Sequence, residues 1–164
     1  MRVLLFAAAL AACGGAGEEP AAHHTYDEDG IRFDYPPDWS VATSEAEDAV
    51  TVEGPRDGIF VVQRFRGAAN GLEEFSRDFL AKELTDAFAD AARASAVTSE
   101  VAGARREGLR TVFSLGRGLS FALEVYRIEF PAGAVFLVSQ STADDERLNA
   151  GAFGMIRRSF RVAE

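Results

Sequence analysis

A chain of 164 residues with 17 Lys and Arg against 26 Asp and Glu carries a formal net charge of −9 at pH 7. That balance excludes a nucleic-acid binder, because a surface of this sign is repelled by phosphate backbones and by anionic headgroups. At 48% hydrophobic residues the chain has material for one ordinary domain, and its single cysteine excludes an internal disulfide.

The first thirteen residues have their own logic. Met1 and Arg2 form a short charged start, Val3 to Leu10 an apolar run, and Leu10-Ala11-Ala12-Cys13 places small residues before the one cysteine. This is the order of a bacterial lipoprotein signal, so residues 1–12 are expected to be removed and Cys13 to carry the lipid, with acyl chains such as palmitate. The apolar run is too short to span a bilayer, which takes about 20 residues. Two or more acyl chains at about 0.8 kcal/mol per buried CH₂ would hold the protein stably at a membrane. Loss of Arg2 with the leader takes the net charge to −10. Residues 101–164 hold nine Arg against seven acids, so the excess negative charge lies in the first hundred residues.

Residues 13–25 are rich in Gly, Ala, Glu and Pro without apolar periodicity, and are expected to form a lipidated flexible tether reaching about 20 Å. His23 and His24 lie at its end beside Asp27, Glu28 and Asp29, but adjacent imidazoles on a tether lack the scaffold a metal site needs. Thr25 and Pro36 occupy the positions where a calcium loop requires its first and last carboxylates, which excludes that reading. A globular domain is expected over residues 26–164.

Ile31, Phe33 and Tyr35 alternate with Arg32 and Asp34, a period of two that predicts a half-buried strand. Pro36-Pro37-Asp38 ends it, and Trp39, Val41 and Thr43 resume the alternation. Trp39 is expected to be a core plug rather than an exposed stacking platform. Residues 49–53 and 59–66 read as the next two strands. Ile59 to Val62 is apolar in both phases, which requires cover on both faces of the sheet. Asn70 with Glu73 has capping-box spacing, and a helix is expected to run to about Arg93. Leu72, Phe75 and Phe79 form one stripe; Leu80, Leu84, Phe88 and Ala91 form another, with Glu83 between them and a drift expected near residues 82–86.

Residues 96–101, 109–115, 119–130 and 134–141 read as four further strands, separated by Gly103, Glu107-Gly108, Gly116-Arg117-Gly118 and Pro131-Ala132-Gly133. Gly116-Arg117-Gly118 has no following helix and reads as a turn, not a phosphate loop. The apolar phase of 119–130 shifts between Val125 and Tyr126, which fits a bulge or a strand covered on both faces. A last helix is expected to be capped by Thr142 through Asp145, with Leu148, Ala152, Met155 and Ile156 as its buried side.

Gly30-Ile31-Arg32-Phe33-Asp34-Tyr35-Pro36-Pro37-Asp38-Trp39, with this element order and the close at Phe153 to Phe160, resembles the PsbP-like superfamily. Phe33, Tyr35, Pro36 and Trp39 match the family's opening pattern. The resemblance implies an α+β fold, an α-β-α sandwich around a mainly antiparallel sheet, with a long helix after the fourth strand and a C-terminal helix. It also implies a binding or assembly module rather than an enzyme. The family's photosystem and Ran contacts depend on features that this chain does not match.

Two function classes follow. In the first, a lipid-anchored module of the cell envelope, on its periplasmic or extracellular face, binds a protein, glycan or lipid without catalysis. His and Cys are missing from residues 26–164, so Ser-His, Cys-His and His-based zinc arrangements cannot be built there. No catalytic, metal-ligating or cofactor-binding residue is assigned. In the second, a hydrolase works with carboxylates alone, and Asp144-Asp145-Glu146 is the densest cluster. Acids in a first helical turn are more simply partners of the helix dipole.

Overall fold

The computed structural model describes residues 22–83, 93–115 and 118–163. The expected leader, Cys13 and the tether as far as residue 21 lie outside them. Among the described residues the order is β1 (His24–Glu28), β2 (Ile31–Tyr35), β3 (Ser40–Ser44), β4 (Ala49–Glu53), β5 (Ile59–Arg66), α1 (Leu72–Glu83), β6 (Arg93–Val101), β7 (Ala104–Leu115), β8 (Leu119–Phe130), β9 (Gly133–Thr142), α2 (Glu146–Ser159) and β10 (Arg161–Val162).

A seven-stranded antiparallel sheet, in the order β3-β4-β5-β9-β8-β7-β6, forms the middle of the domain. A second sheet, β1-β2-β10, is also antiparallel. The alternation of the large sheet sends its side chains into two cores. Phe60, Val62, Tyr126, Ile128, Val135 and Leu137 pack with the small sheet and with Phe153, Ile156 and Phe160 at the α2 end. Val61, Phe65, Leu123, Val125, Phe136 and Val138 pack with Phe75 and Leu80 of α1. Central strands are apolar in both phases because each phase meets a different core.

This corrects several expectations. β1 pairs with β2 from His24↔Tyr35 to Glu28↔Ile31, so the ordered domain begins inside the stretch expected to be tether, and the long helix follows the fifth strand, not the fourth. Tyr26 is buried and stacks on Phe33 at 5.1 Å, while Thr25 Oγ1 donates to Asp34 and Arg32 pairs with Asp27 at 2.8 Å. His23 and His24 therefore sit at the end of a paired strand. Among the described residues no three His, Cys, Asp or Glu side chains converge as metal ligands.

Gly71, not Asn70, precedes α1. The Gly71 carbonyl accepts the first helical bond from the Phe75 N–H at 2.9 Å, and the Asn70 side chain donates instead to Asp78 at 3.2 Å. Arg93 opens β6 rather than ending the helix. The expected second stripe beyond Leu80 and the drift beyond Glu83 lie outside the described residues. In β8 the pairing with β9 runs without a slip from Phe121↔Thr142 to Phe130↔Gly133, so the phase shift reflects cover on both faces and not a bulge.

Glu107-Gly108 is not a turn. Gly108 lies inside β7, opposite Val97 and Tyr126, and a Cβ there would come within 2.5 Å of the Tyr126 ring. The residue is glycine because that ring crosses its backbone. In α2 the buried positions are Asn149, Phe153, Gly154 and Ile156, whereas Leu148 is 50% exposed. Asp145 is the N-cap through its carbonyl, and Thr142 steadies the preceding turn by accepting from the Asp145 N–H at 3.3 Å.

Trp39 is 7% exposed and meets Phe153 edge-on at 5.6 Å, as expected of a core plug. Gly54 lies directly against the indole, where an added Cβ would fall 2.5 Å from the ring.

Candidate functional site

Carboxylates are the first place to look for chemistry in a domain without a thiol. The Asp144-Asp145-Glu146 cluster does not act as a unit. Asp144 is exposed, Asp145 caps α2, and Glu146 is held by Arg110 through bonds of 2.7 and 2.9 Å. Sequence reasoning missed the larger arrangement to which Glu146 belongs. Arg110 lies opposite Glu124 on the paired strands β7 and β8, and Arg157 reaches Glu124 from α2 at 3.0 Å. The Tyr126 hydroxyl donates to the same Glu124 oxygen at 3.1 Å, and the Arg157 guanidinium stands 5.3 Å over the Tyr126 ring.

Burial, then the neighbouring Glu124 carboxylate, push the Tyr126 phenol up to about 12, so it serves as a donor and not as a proton acceptor near neutrality. Glu124 Oε2 accepts from both the Arg157 guanidinium and the Tyr126 hydroxyl, so this oxygen is already engaged within the fold. The hollow beside Glu124, Glu146, Ser139 and Arg157 measures about 50 Å³. Small-molecule sites run from about 300 Å³ upward. Two carboxylates do meet here, but they share Arg110 over a space too small for a sugar, ester or peptide. The network ties α2 to the sheet.

A second charged cluster joins the two sheets. Arg64, with 11% of its side chain exposed, forks onto Asp48 at 2.6 and 3.0 Å and donates to the Asp29 carbonyl at 2.6 Å. Arg64 thereby locks the β3–β4 turn and the β1–β2 turn to β5. The hydrogen bond from Arg64 holds the Asp48 carboxyl below its ordinary value. Stability from this pair is therefore fully present above the unfolded carboxyl's titration near 3.8 and is lost as the pH falls through the lower folded value. We expect Asp48→Asn, which tolerates the left-handed backbone at this position (φ 47°), to weaken the fold at neutral pH. In urea unfolding the gap from the native chain should close progressively in acid; a gap independent of pH would contradict the pairing.

Binding surface is more plentiful than chemistry. α1 packs over the middle of one sheet face, with Phe75 stacked on Phe136 at 3.8 Å and edge-on to Phe65 at 5.8 Å. The face is wider than the helix, so open ground remains on both sides. Toward β4 and β5, a cleft of about 300 Å³ has Val61, Phe65, Phe75 and Phe79 as its apolar part and Glu47, Asp78 and Lys82 on its rim, where Lys82 and Glu47 form an ion pair. Toward β6 and β7, hollows of about 410 and 580 Å³ share Glu73, Arg77 and Leu109. That the ground opens on both flanks of the helix follows from the width of the sheet beneath it.

No family model and no curated protein matches the sequence. Solved structures do match in shape. The cyanobacterial PsbP protein CyanoP of Synechocystis superposes with a TM-score of 0.58 at 18% identity, over 93% of this chain and 98% of that one. A protein of Bacteroides thetaiotaomicron superposes with a TM-score of 0.52 at 14% identity, over 82% of this chain and 46% of its own. LpqN of Mycobacterium tuberculosis, described as involved in cell envelope biogenesis, gives 0.49 at 14% identity, over 87% and 91%.

Proposed function

We propose that this chain, which has the PsbP-like fold, is a non-catalytic binding module of the bacterial cell envelope, lipid-anchored through Cys13. The observation that carries the reading is the pairing of open, partly apolar ground on both flanks of α1 with a carboxylate network whose members are paired with arginine. Recognition needs such ground and no proton carrier. Catalysis near neutrality needs a tunable acid, base or nucleophile, and residues 26–164 contain neither His nor Cys.

The leader and Cys13 supply the address. No helix among the described residues is long and apolar enough to cross a membrane. A lipid at Cys13, followed by residues 14–23 before the first strand, would hold the domain near the membrane and raise its effective concentration toward membrane-bound partners. The competing reading is a carboxylate hydrolase centred on Glu124 and Glu146. The test is a paired assay of the full chain: turnover on ester, glycoside and peptide substrates, and crosslinking in intact cells. We expect no turnover and a defined envelope partner. Turnover abolished by Glu124→Gln or Glu146→Gln, with no partner recovered, would overturn the proposal.

A further inference from the structure

We propose that the edge of β6 left unpaired among the described residues accepts an extended segment with alternating basic and apolar side chains, which adds to the seven-stranded sheet as an eighth strand. The inference rests on the binding-module reading and names the surface and the partner's chemistry. Among the described residues β6 pairs with β7 alone, through nine consecutive positions from Arg93↔Val112 to Val101↔Ala104 without a bulge. An edge of that kind presents a row of backbone donors and acceptors, and proteins usually blunt it with lysine, proline, a bulge or shortness. Arg93-Ala94-Ser95-Ala96-Val97-Thr98-Ser99-Glu100-Val101 has no lysine or proline. The opposite edge, β3, is only five residues long.

The ground beside this edge selects the partner. On the α1 side, Ala94 and Ala96 of β6 and Leu109 of β7 line the two hollows, whose rims carry Glu73, Glu74 and Glu107 against Arg77. All four of these charged residues are exposed. An incoming strand would lie about 4.8 Å from β6 and place every second side chain on this face. Small floor residues accept the aliphatic stem of a lysine or arginine, and the rim carboxylates accept its head. On the other face Val97 packs at the margin of the α2 core, so the alternate side chains meet an apolar neighbour. The charge complement is a basic strand, and the chain's net charge of −9 favours its approach. A second copy of this acidic chain matches less well.

The test uses the ¹⁵N-labelled full chain and three nine-residue peptides: alternating Lys and Val, alternating Glu and Val, and a Lys/Val peptide of the first composition with its lysines in one block. We expect the alternating Lys/Val peptide to slow hydrogen exchange of β6 amides and to bind at least tenfold more tightly than either other peptide. Glu73→Lys with Glu107→Lys should reverse the order of the Lys/Val and Glu/Val peptides. Ala96→Trp, at an exposed position, should weaken Lys/Val binding at least tenfold while leaving the fold intact. Equal binding of all three peptides, protection at β3 instead of β6, or β6 protection that rises with protein concentration in the absence of peptide would overturn the inference, the last by assigning the edge to a second copy. A partner captured in cells with no peptide response at β6 would overturn it too, while leaving the binding-module reading in place.

Discussion

Trp39→Ala should lower the stability of the domain by about 3–5 kcal/mol, the cost of emptying a large aromatic site in a packed core. The indole is 7% exposed, lies edge-on to Phe153, and rests directly on Gly54. It connects the corner after β2 to the far end of the chain, because Phe153 belongs to α2 and also meets Phe60 of β5 at 6.1 Å. Loss of the ring would leave α2 without one wall of its seat, and the edge-on pair alone is worth about 0.5–1.5 kcal/mol beyond its area. Equilibrium unfolding in urea measures the difference. A loss under about 1 kcal/mol would mean that the ring is dispensable to the core and would reopen its use as a ligand platform.

Cys13→Ala should abolish lipid attachment and release the protein from the membrane fraction. The effect is expected to be all or none, since the thiol is the only one in the chain and the acyl chains would supply the whole of the anchoring energy. The domain's net negative charge cannot substitute for them at an anionic surface. Metabolic labelling with a fatty acid, followed by membrane fractionation, reads the result. Labelling that persists in the alanine variant would show that the lipid is elsewhere, and a labelled but soluble native chain would show that the anchor does not hold.

Legibility followed local pattern. β5 could be read to its ends because Ile59 to Val62 is apolar in both phases, and β2 because Ile31, Phe33 and Tyr35 alternate cleanly with charges. β1 escaped notice because Tyr26 is its only buried side chain; its place is fixed by pairing with β2 and by Arg64 reaching the Asp29 carbonyl, neither of which is local. Gly108 signalled a turn, since the ring that makes glycine necessary lies on another strand. The buried side of α2 was misread at Leu148 because a polar residue, Asn149, takes the core position and donates to the Arg56 carbonyl at 3.2 Å.

The candidate site divides in the same way. The amphipathic helix that borders the clefts was legible from the spacing of Leu72, Phe75 and Phe79, but the clefts themselves depend on the width of the sheet beneath it. The Glu124 network was not, because Arg110, Glu124 and Arg157 come from two strands and a helix, and nothing in their spacing brings them together. Arginine contacts to both carboxylates of that network support the proposed non-catalytic reading, whereas the sequence could argue only from missing histidine and cysteine.

The most direct measurement of the central claim is site-specific photo-crosslinking in intact cells. The photoreactive residue would replace Phe79 in the cleft toward β5, Ala96 in the groove toward β6, or Arg158 on the exposed side of α2. The account predicts a discrete adduct with an envelope component from at least one flank of α1, none from Arg158, and loss of that adduct in Cys13→Ala cells. Adducts of equal strength from all three positions, or none from either flank while the purified chain turns over a substrate in a Glu124-dependent way, would contradict it.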